Sequence, residues 1–134
     1  MQHFTIEALH EDQLAEAAAI VRMAMSNCNP EWWEESTREL IDRGGGVLAA
    51  RAGDRSIYGV ATYEVVKRRN TGPVLTVETL ASFDLSRKQP VKQALVDALD
   101  MISTVFGCRA MAVPLPSKSH MRFVASPRWD QAED

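Results

Sequence analysis

Residues 74–114 read VLTVETLASFDLSRKQPVKQALVDALDMISTVFGCRAMAVP, and the meaning of the rest of the chain depends on them. Residues 74–83 have the apolar and β-branched content of a strand. Residues 84–89 form a polar turn. Residues 90–106 predict a long helix, with Val91, Ala94, Leu95, Ala98, Leu99, Ile102, Val105 and Phe106 on a broad inward face. Pro90 sits in the first turn, where proline is tolerated, and Gly107 closes the helix. Residues 109–113 give a second strand. Strand, turn, helix, strand is a βαβ unit. A helix N-terminus directly after a strand points free backbone N–H groups and the positive end of a dipole outward, which suits the phosphates of a ligand. The turn Ser86-Arg87-Lys88-Gln89-Pro90-Val91-Lys92 is therefore the expected functional site. Cations at a helix start are unfavourable unless an anion is near, so Arg87, Lys88 and Lys92 favour a phosphate reading. The competing reading is a solvated surface turn.

Upstream of this unit, Phe4, Ile6 and Ala8 alternate through a short strand at residues 3–9. Residues 11–26 predict a helix that opens on Glu11 and Asp12 and buries Leu14, Ala17, Ala18, Val21 and Met25. Asn29 is an N-cap and Pro30 a first helical residue for a second helix over 30–43, with Trp33, Thr37, Leu40 and Ile41 on one side. Gly44, Gly45 and Gly46 end that helix. Residues 47–52 and 56–67 predict a hairpin. In its second strand Ile57, Gly59, Ala61, Tyr63 and Val65 share one face, and Tyr58, Val60, Thr62 and Glu64 share the other. Gly59 inside a strand marks a bulge or a close approach of another part of the chain. Residues 67–73 form a polar connection. Downstream, Pro114-Leu115-Pro116 stops the pairing, and residues 117–125 predict a short helix capped by Ser117. The order is β-α-α-β-β-β-α-β-α, an α/β protein with a mixed sheet.

The length of 134 residues suggests one domain, 1–134, and the 46% hydrophobic and 25% charged content fits an ordinary globular core. A net charge of −3 argues against general nucleic-acid or membrane-surface binding. Cys28 and Cys108 are too few for a disulfide framework or a zinc site, so reduced thiols, no metal and a cytoplasmic location are expected. The first residues lack the basic and apolar regions of a signal peptide.

This order of elements resembles the Gcn5-related N-acetyltransferase superfamily. Ile57-Tyr58-Gly59-Val60-Ala61 is similar to that family's apolar-apolar-Gly third strand. Val77-Glu78-Thr79-Leu80-Ala81-Ser82 resembles its fourth strand, which splays from its neighbour. Arg87 lies nine residues after Glu78, the family spacing to the Arg or Gln that opens the cofactor loop. In the family that loop reads Arg/Gln-x-x-Gly-x-Gly/Ala. Here Pro90 and Lys92 stand in place of the two small residues, and Pro90 removes a donor. Residues 120–129 look like the last helix of the family, with Val124 where a proton-donating Tyr often stands and Arg128 in place of a Gly. The chain then stops where members usually add two more strands. The fifth strand would thus have an uncovered edge, which invites a dimer.

The resemblance implies acetyl-coenzyme A or another acyl-coenzyme A as donor, and a small-molecule or protein amine as acceptor. Arg87, Lys88, Gln89, Pro90, Val91 and Lys92 would meet the pyrophosphate, and backbone groups of Ala81, Ser82 and Phe83 the pantetheine arm. Glu78 would be a general base; its bland alternative is a strand glutamate in an ordinary ion pair. Adjacent residues cannot both face inward on one helix, so one of Trp32 and Trp33 packs in the core. The other lines the acceptor side or a dimer contact. Two functions follow: an acyl-coenzyme A-dependent N-acyltransferase, or a non-catalytic module of the same fold that binds a partner or senses a coenzyme A species.

Overall fold

The computed structural model describes residues 4–25, 28–70, 72–114 and 121–124. Its strands are β1 (Thr5–Ala8), β2 (Gly46–Arg51), β3 (Ile57–Arg68), β4 (Gly72–Ser82), β5 (Ala110–Pro114) and β6 (Met121–Val124). A 3-10 turn (Glu11–Gln13) leads into α1 (Leu14–Ala24); α2 (Pro30–Asp42) follows, and α3 (Pro90–Val105) joins β4 to β5. The strands lie in sequence order in one sheet, antiparallel except where β4 and β5 run parallel. The expected mixed α/β fold is present.

Local chemistry sets the helix limits. The side chain of Asn29 accepts the N–H groups of Glu31 and Trp32, at 2.9 and 3.2 Å, and Pro30 begins α2. Gly44 takes a positive φ of 96° to end that helix, a conformation that costs glycine nothing.

Two apolar layers cover the sheet. On one face Leu14, Ala17, Ala18, Ile20 and Val21 of α1, with Trp33 of α2, pack on Val47, Val60 and Ala81. On the other, Val91, Leu95 and Leu99 of α3 pack on Leu48, Ala61, Leu75 and Val77. The buried line along α3 runs through Val91, Leu95, Leu99 and Ser103. A spacing of four drifts away from Val105 and Phe106, which are exposed rather than inward as the pattern suggested.

Two strand irregularities interrupt the simple alternation. Ala50 pairs with Gly59 and Arg51 with Ile57, so Tyr58 is an extra residue. The bulge turns Ile57 to the α1 face with Val60, and Tyr58 toward α3 with Ala61, against the simple alternation. The second bulge, at Glu78, belongs to the site described below. The connection between β3 and β4 is also tighter than expected, because the strands pair as far as Arg68 and Gly72.

The last expected helix is corrected. Residues 121–124 form β6, which pairs antiparallel with β5 from Met111–Val124 to Pro114–Met121. The edge of β5 is thus covered by this chain, which removes the reason given for a dimer. It also removes Val124 from the helical position inferred for it. Residues 115–120 and 125–134, including Ser119, His120, Arg128 and Trp129, lie outside the described residues.

A buried cation ties the first strands to α1. Arg51 is 5% exposed on β2. Its guanidinium donates to Glu7 of β1, to Glu16 of α1 at 2.7 and 3.0 Å, and to the Arg55 carbonyl at 2.7 Å. These bonds hold the Glu7 and Glu16 carboxyls below their ordinary value of 4.5. A depressed carboxylate adds stability that is present above its unfolded pKa and lost as pH falls through the folded one. Thermal melts of wild type should therefore fall off steeply below about pH 4.5. The E7Q/E16Q variant should melt lower at neutral pH, with Arg51 left unpaired, and show a shallower acid limb. Both carboxylates touch water, which moderates the effect. Parallel acid limbs would show that the network does not titrate.

Candidate functional site

The parallel ladder between β4 and β5 is short. Val74 pairs with Ala110, Leu75 with Met111 and Thr76 with Ala112, and no further pairing joins them among the described residues. β4 continues to Ser82 beside β3 alone, whereas β5 continues beside β6. The sheet therefore forks after Thr76. The side-chain hydroxyl of Thr76 is buried at the fork with no hydrogen-bond partner among the described residues.

The bulge lies just past the fork. Tyr63 pairs with Val77 and Thr62 with Thr79, so Glu78 has no opposite number on β3. The extra residue shifts the phase of the strand. Leu75, Val77 and Leu80 all pack toward α3, and Ala81 packs toward α1. The two-residue rhythm is thus broken between Val77 and Leu80, a spacing of three that could have been read from the sequence.

α2 holds this bulge at two points. Trp33, 2% exposed, donates its indole N–H to the Thr79 hydroxyl at 3.1 Å. Arg43, just past the end of α2, lies 3.3 Å from Glu64 of β3 and 3.7 Å from Glu78. Glu78 is 43% exposed. Partial burial raises its carboxyl above the ordinary value; the charge of Glu64 adds to the rise and that of Arg43 opposes it. Glu78 is therefore a carboxylate with increased proton affinity on a strand irregularity beside the fork. Both features are common at reactive sites. Of the adjacent pair, Trp33 is the core residue and Trp32 the exposed one.

The turn after β4 differs from expectation in one respect that sequence reading missed. Asp84 closes it. One carboxylate oxygen of Asp84 accepts the Val91 N–H at 2.8 Å, and the other accepts the Lys92 N–H at 3.2 Å. The Ser86 hydroxyl accepts the Lys88 N–H at 3.1 Å, and its carbonyl accepts the Gln89 N–H at 3.0 Å. Gln93 donates to the Gln89 carbonyl at 2.9 Å, and Pro90 has no N–H. Every backbone donor from residue 88 to 93 is thus used within the turn. Gln89 sits in the left-handed region, φ 49° and ψ 59°, unusual for a residue with a side chain.

The remaining candidates divide between surface and core. Arg87, Lys88, Gln89 and Pro90 are exposed and Lys92 is half-buried, whereas the Val91 side chain lies in the core. Ala81 is buried, Ser82 ends β4, and Phe83 gives its N–H to the Tyr58 carbonyl at 2.8 Å. That donor serves β3 and is not available to a pantetheine chain. The Phe83 ring is partly exposed and stands edge-on to Tyr58, with centroids 6.4 Å apart. Cys108 is buried, and burial raises the pKa of its thiol, as suits a core residue. No group of three or more metal-ligating side chains occurs among the described residues, and no described helix is long and apolar enough to cross a membrane.

No protein-family model and no curated protein sequence matches the chain. Solved structures do. The aminoglycoside N-acetyltransferase AAC(6')-Iy in complex with CoA superposes with a TM-score of 0.70 at 18% identity, over 99% of this chain and 84% of that one. A ribosomal-protein-alanine N-acetyltransferase from Brucella melitensis biovar Abortus 2308 gives 0.66 at 20% identity, over 82% of this chain and 78% of that one. A GNAT family N-acetyltransferase from Escherichia coli in complex with CoA gives 0.65 at 15% identity, over 85% and 63%. The chain has the Gcn5-related N-acetyltransferase fold.

Proposed function

We propose that the protein is an acyl-coenzyme A-dependent N-acyltransferase whose acceptor amine approaches Glu78 on the α2 side of the fork. The observation that carries this reading is the parting of β4 from β5 after Thr76, with the Glu78 bulge beside it. Past the fork, the edge of β4 that faces away from β3 has no strand paired to it among the described residues, and an extended ligand would lie along its backbone groups. Glu78 stands ready to take the proton of the attacking amine, directly or through water, as the nitrogen displaces the thiolate of the donor. Most of the rate enhancement would come from holding amine and thioester together. Trp32, exposed on α2, is the aromatic group available to an acceptor on that side. The acceptor class is a primary amine. The solved proteins of like fold include enzymes named for aminoglycosides and for a ribosomal-protein alanine.

A second reading rests on a specific observation of its own. Asp84 and Ser86 consume the donors of the turn, and Pro90 supplies none. A module that kept the fold and lost the donor site would look the same there.

Ligand-dependent melting separates the two. Acetyl-coenzyme A at about 100 times its dissociation constant should stabilise an N-acyltransferase by about 2.7 kcal/mol. A Lys92→Glu substitution should abolish that shift, because it places a negative charge where the phosphates of the donor would lie. No shift at millimolar concentration would favour the non-catalytic module. A shift that survives Lys92→Glu would place the phosphates elsewhere.

A further inference from the structure

We propose that Trp33 is a positioning residue for Glu78: its indole N–H, bonded to Thr79, fixes the strand bulge that presents the carboxylate beside the fork. This inference rests on the N-acyltransferase reading, in which Glu78 takes the proton of the amine. Glu78 is the extra residue of the bulge, so no residue of β3 stands opposite to hold it. A bulged residue is aimed by its neighbours and not by the ladder. On one side of it Val77 packs toward α3, as Leu80 does. Apolar contacts of that kind have no preferred direction. On the other side is Thr79, 6% exposed, whose hydroxyl accepts the Trp33 indole N–H at 3.1 Å. A hydrogen bond weakens steeply away from its line, so this one fixes the backbone next to Glu78 in a way that packing does not.

The ion pair cannot replace that tie. Arg43 lies 3.7 Å from Glu78, and the two side chains are 49% and 43% exposed. Water and side-chain freedom leave such a pair little strength. The bond from Trp33 to Thr79 is buried at both ends, where breaking it leaves a polar group without a partner. A buried indole N–H needs some acceptor; here the need is met by the side chain adjoining Glu78. The bond also sets α2 against β4. Trp33 stands near the start of α2 and Arg43 directly after its last residue, so the helix that ties the bulge also carries the cation beside it.

The experiment compares wild type with T79V, T79S, W33F and the double variant W33F/T79V. The titration midpoint of Glu78 is read by carbon NMR of isotope-labelled glutamates, with E78Q identifying the resonance. It is read alongside melting temperature and kcat on an amine that the wild type accepts. T79V fills the same space without the acceptor, and W33F removes the donor. Each should lower the Glu78 midpoint toward the ordinary 4.5, because a loosened carboxylate regains water and moves away from Glu64, and these outweigh a weaker contact with Arg43. Each should lower kcat by about tenfold or more, with the KM for acetyl-coenzyme A nearly unchanged. T79S keeps the hydroxyl and should hold the midpoint and recover most of the rate lost in T79V. The double variant leaves neither polar group unpaired, so it should melt higher than the two single losses together predict. Its midpoint and kcat should nevertheless stay as low as in the single variants. A rate that recovers with the stability, or a midpoint unmoved in T79V and W33F, would overturn the proposal and leave Trp33 as core filling. If T79V does not fold, W33F decides alone. If the wild type acylates no amine, the N-acyltransferase reading fails, and the midpoints still decide whether Trp33 aims Glu78.

Discussion

Replacing Gly59 with valine is expected to lower the melting temperature by roughly 10 °C or more. The backbone of Gly59 takes no unusual conformation, so the reason is space. A Cβ there would lie 2.6 Å from Val91 Cγ1 and 2.9 Å from Leu95 Cδ1, with the Ala81 carbonyl oxygen at 3.3 Å. Neither apolar neighbour can retreat. Val91 and Leu95 are both buried, and a valine on a helix is held to essentially one rotamer. The alternative is for α3 to lift from β3, which opens the core from its N-terminal end. Overpacking by one methyl group costs about 1–3 kcal/mol, and valine brings two more. Gly59→Ala should therefore show the milder effect and Gly59→Val the severe one. The same change would disturb the turn ahead of α3, because Val91 also donates to Asp84. A cycle with Val91→Ala is the control. Removing the Val91 methyl groups should make Gly59→Ala much less costly, a coupling of the size found between touching residues. If the two substitutions simply add, or Gly59→Ala is neutral, α3 does not press on the strand at that point.

Gly59 also shows how far the sequence could be read. A glycine inside an apolar strand signals a bulge or a close approach; here the close approach falls on Gly59 and the bulge one residue earlier, at Tyr58. Signals carried by a few neighbouring residues were legible. The Asn29-Pro30 cap, the glycine stop after α2 and the order of strands and helices as far as β5 are of this kind. Contacts made across the chain were not. Asp84 caps a helix start seven and eight residues away, beyond the three-residue spacing by which a cap is recognised. Arg51 is an ordinary-looking strand cation until β1 and α1 bring Glu7 and Glu16 to it. β6 was read as helix because a four-residue strand is too short for periodicity to decide, and Ser117 resembled a cap. At the site, the spacing from Glu78 to Arg87 drew attention to β4 and the turn after it. It gave no hint that the turn supplies its own anion.

Glu78→Gln separates catalysis from scaffolding because the two predict changes of opposite kind. If Glu78 takes the proton of the amine, the amide should lower kcat by about 10²–10⁴-fold, about 3–5 kcal/mol of barrier, against whichever amine in a panel the wild type accepts. The KM for acetyl-coenzyme A should move little, since the turn that would meet the phosphates lies beyond Ser82. Stability should not fall with the rate. Partial burial, with the charge of Glu64, raises the proton affinity of Glu78 in the folded protein. A group raised in this way adds stability below its unfolded pKa and loses it as pH climbs through the folded one. At neutral pH the charged Glu78 is therefore a burden on the fold, and a glutamine that cannot ionise should melt at the same temperature or higher, a trade of stability for function. An ordinary ion pair with Arg43 predicts the reverse, a small loss of stability with activity intact. The neighbours supply a further readout. The acid limb of the rate profile should lie above pH 4.5, the ordinary carboxylate value. Arg43→Ala removes a charge that favours the ionised form and should move the limb to higher pH. Glu64→Gln removes a charge that opposes it and should move the limb down. Limbs that stay fixed in both variants would assign the base to another group or to water.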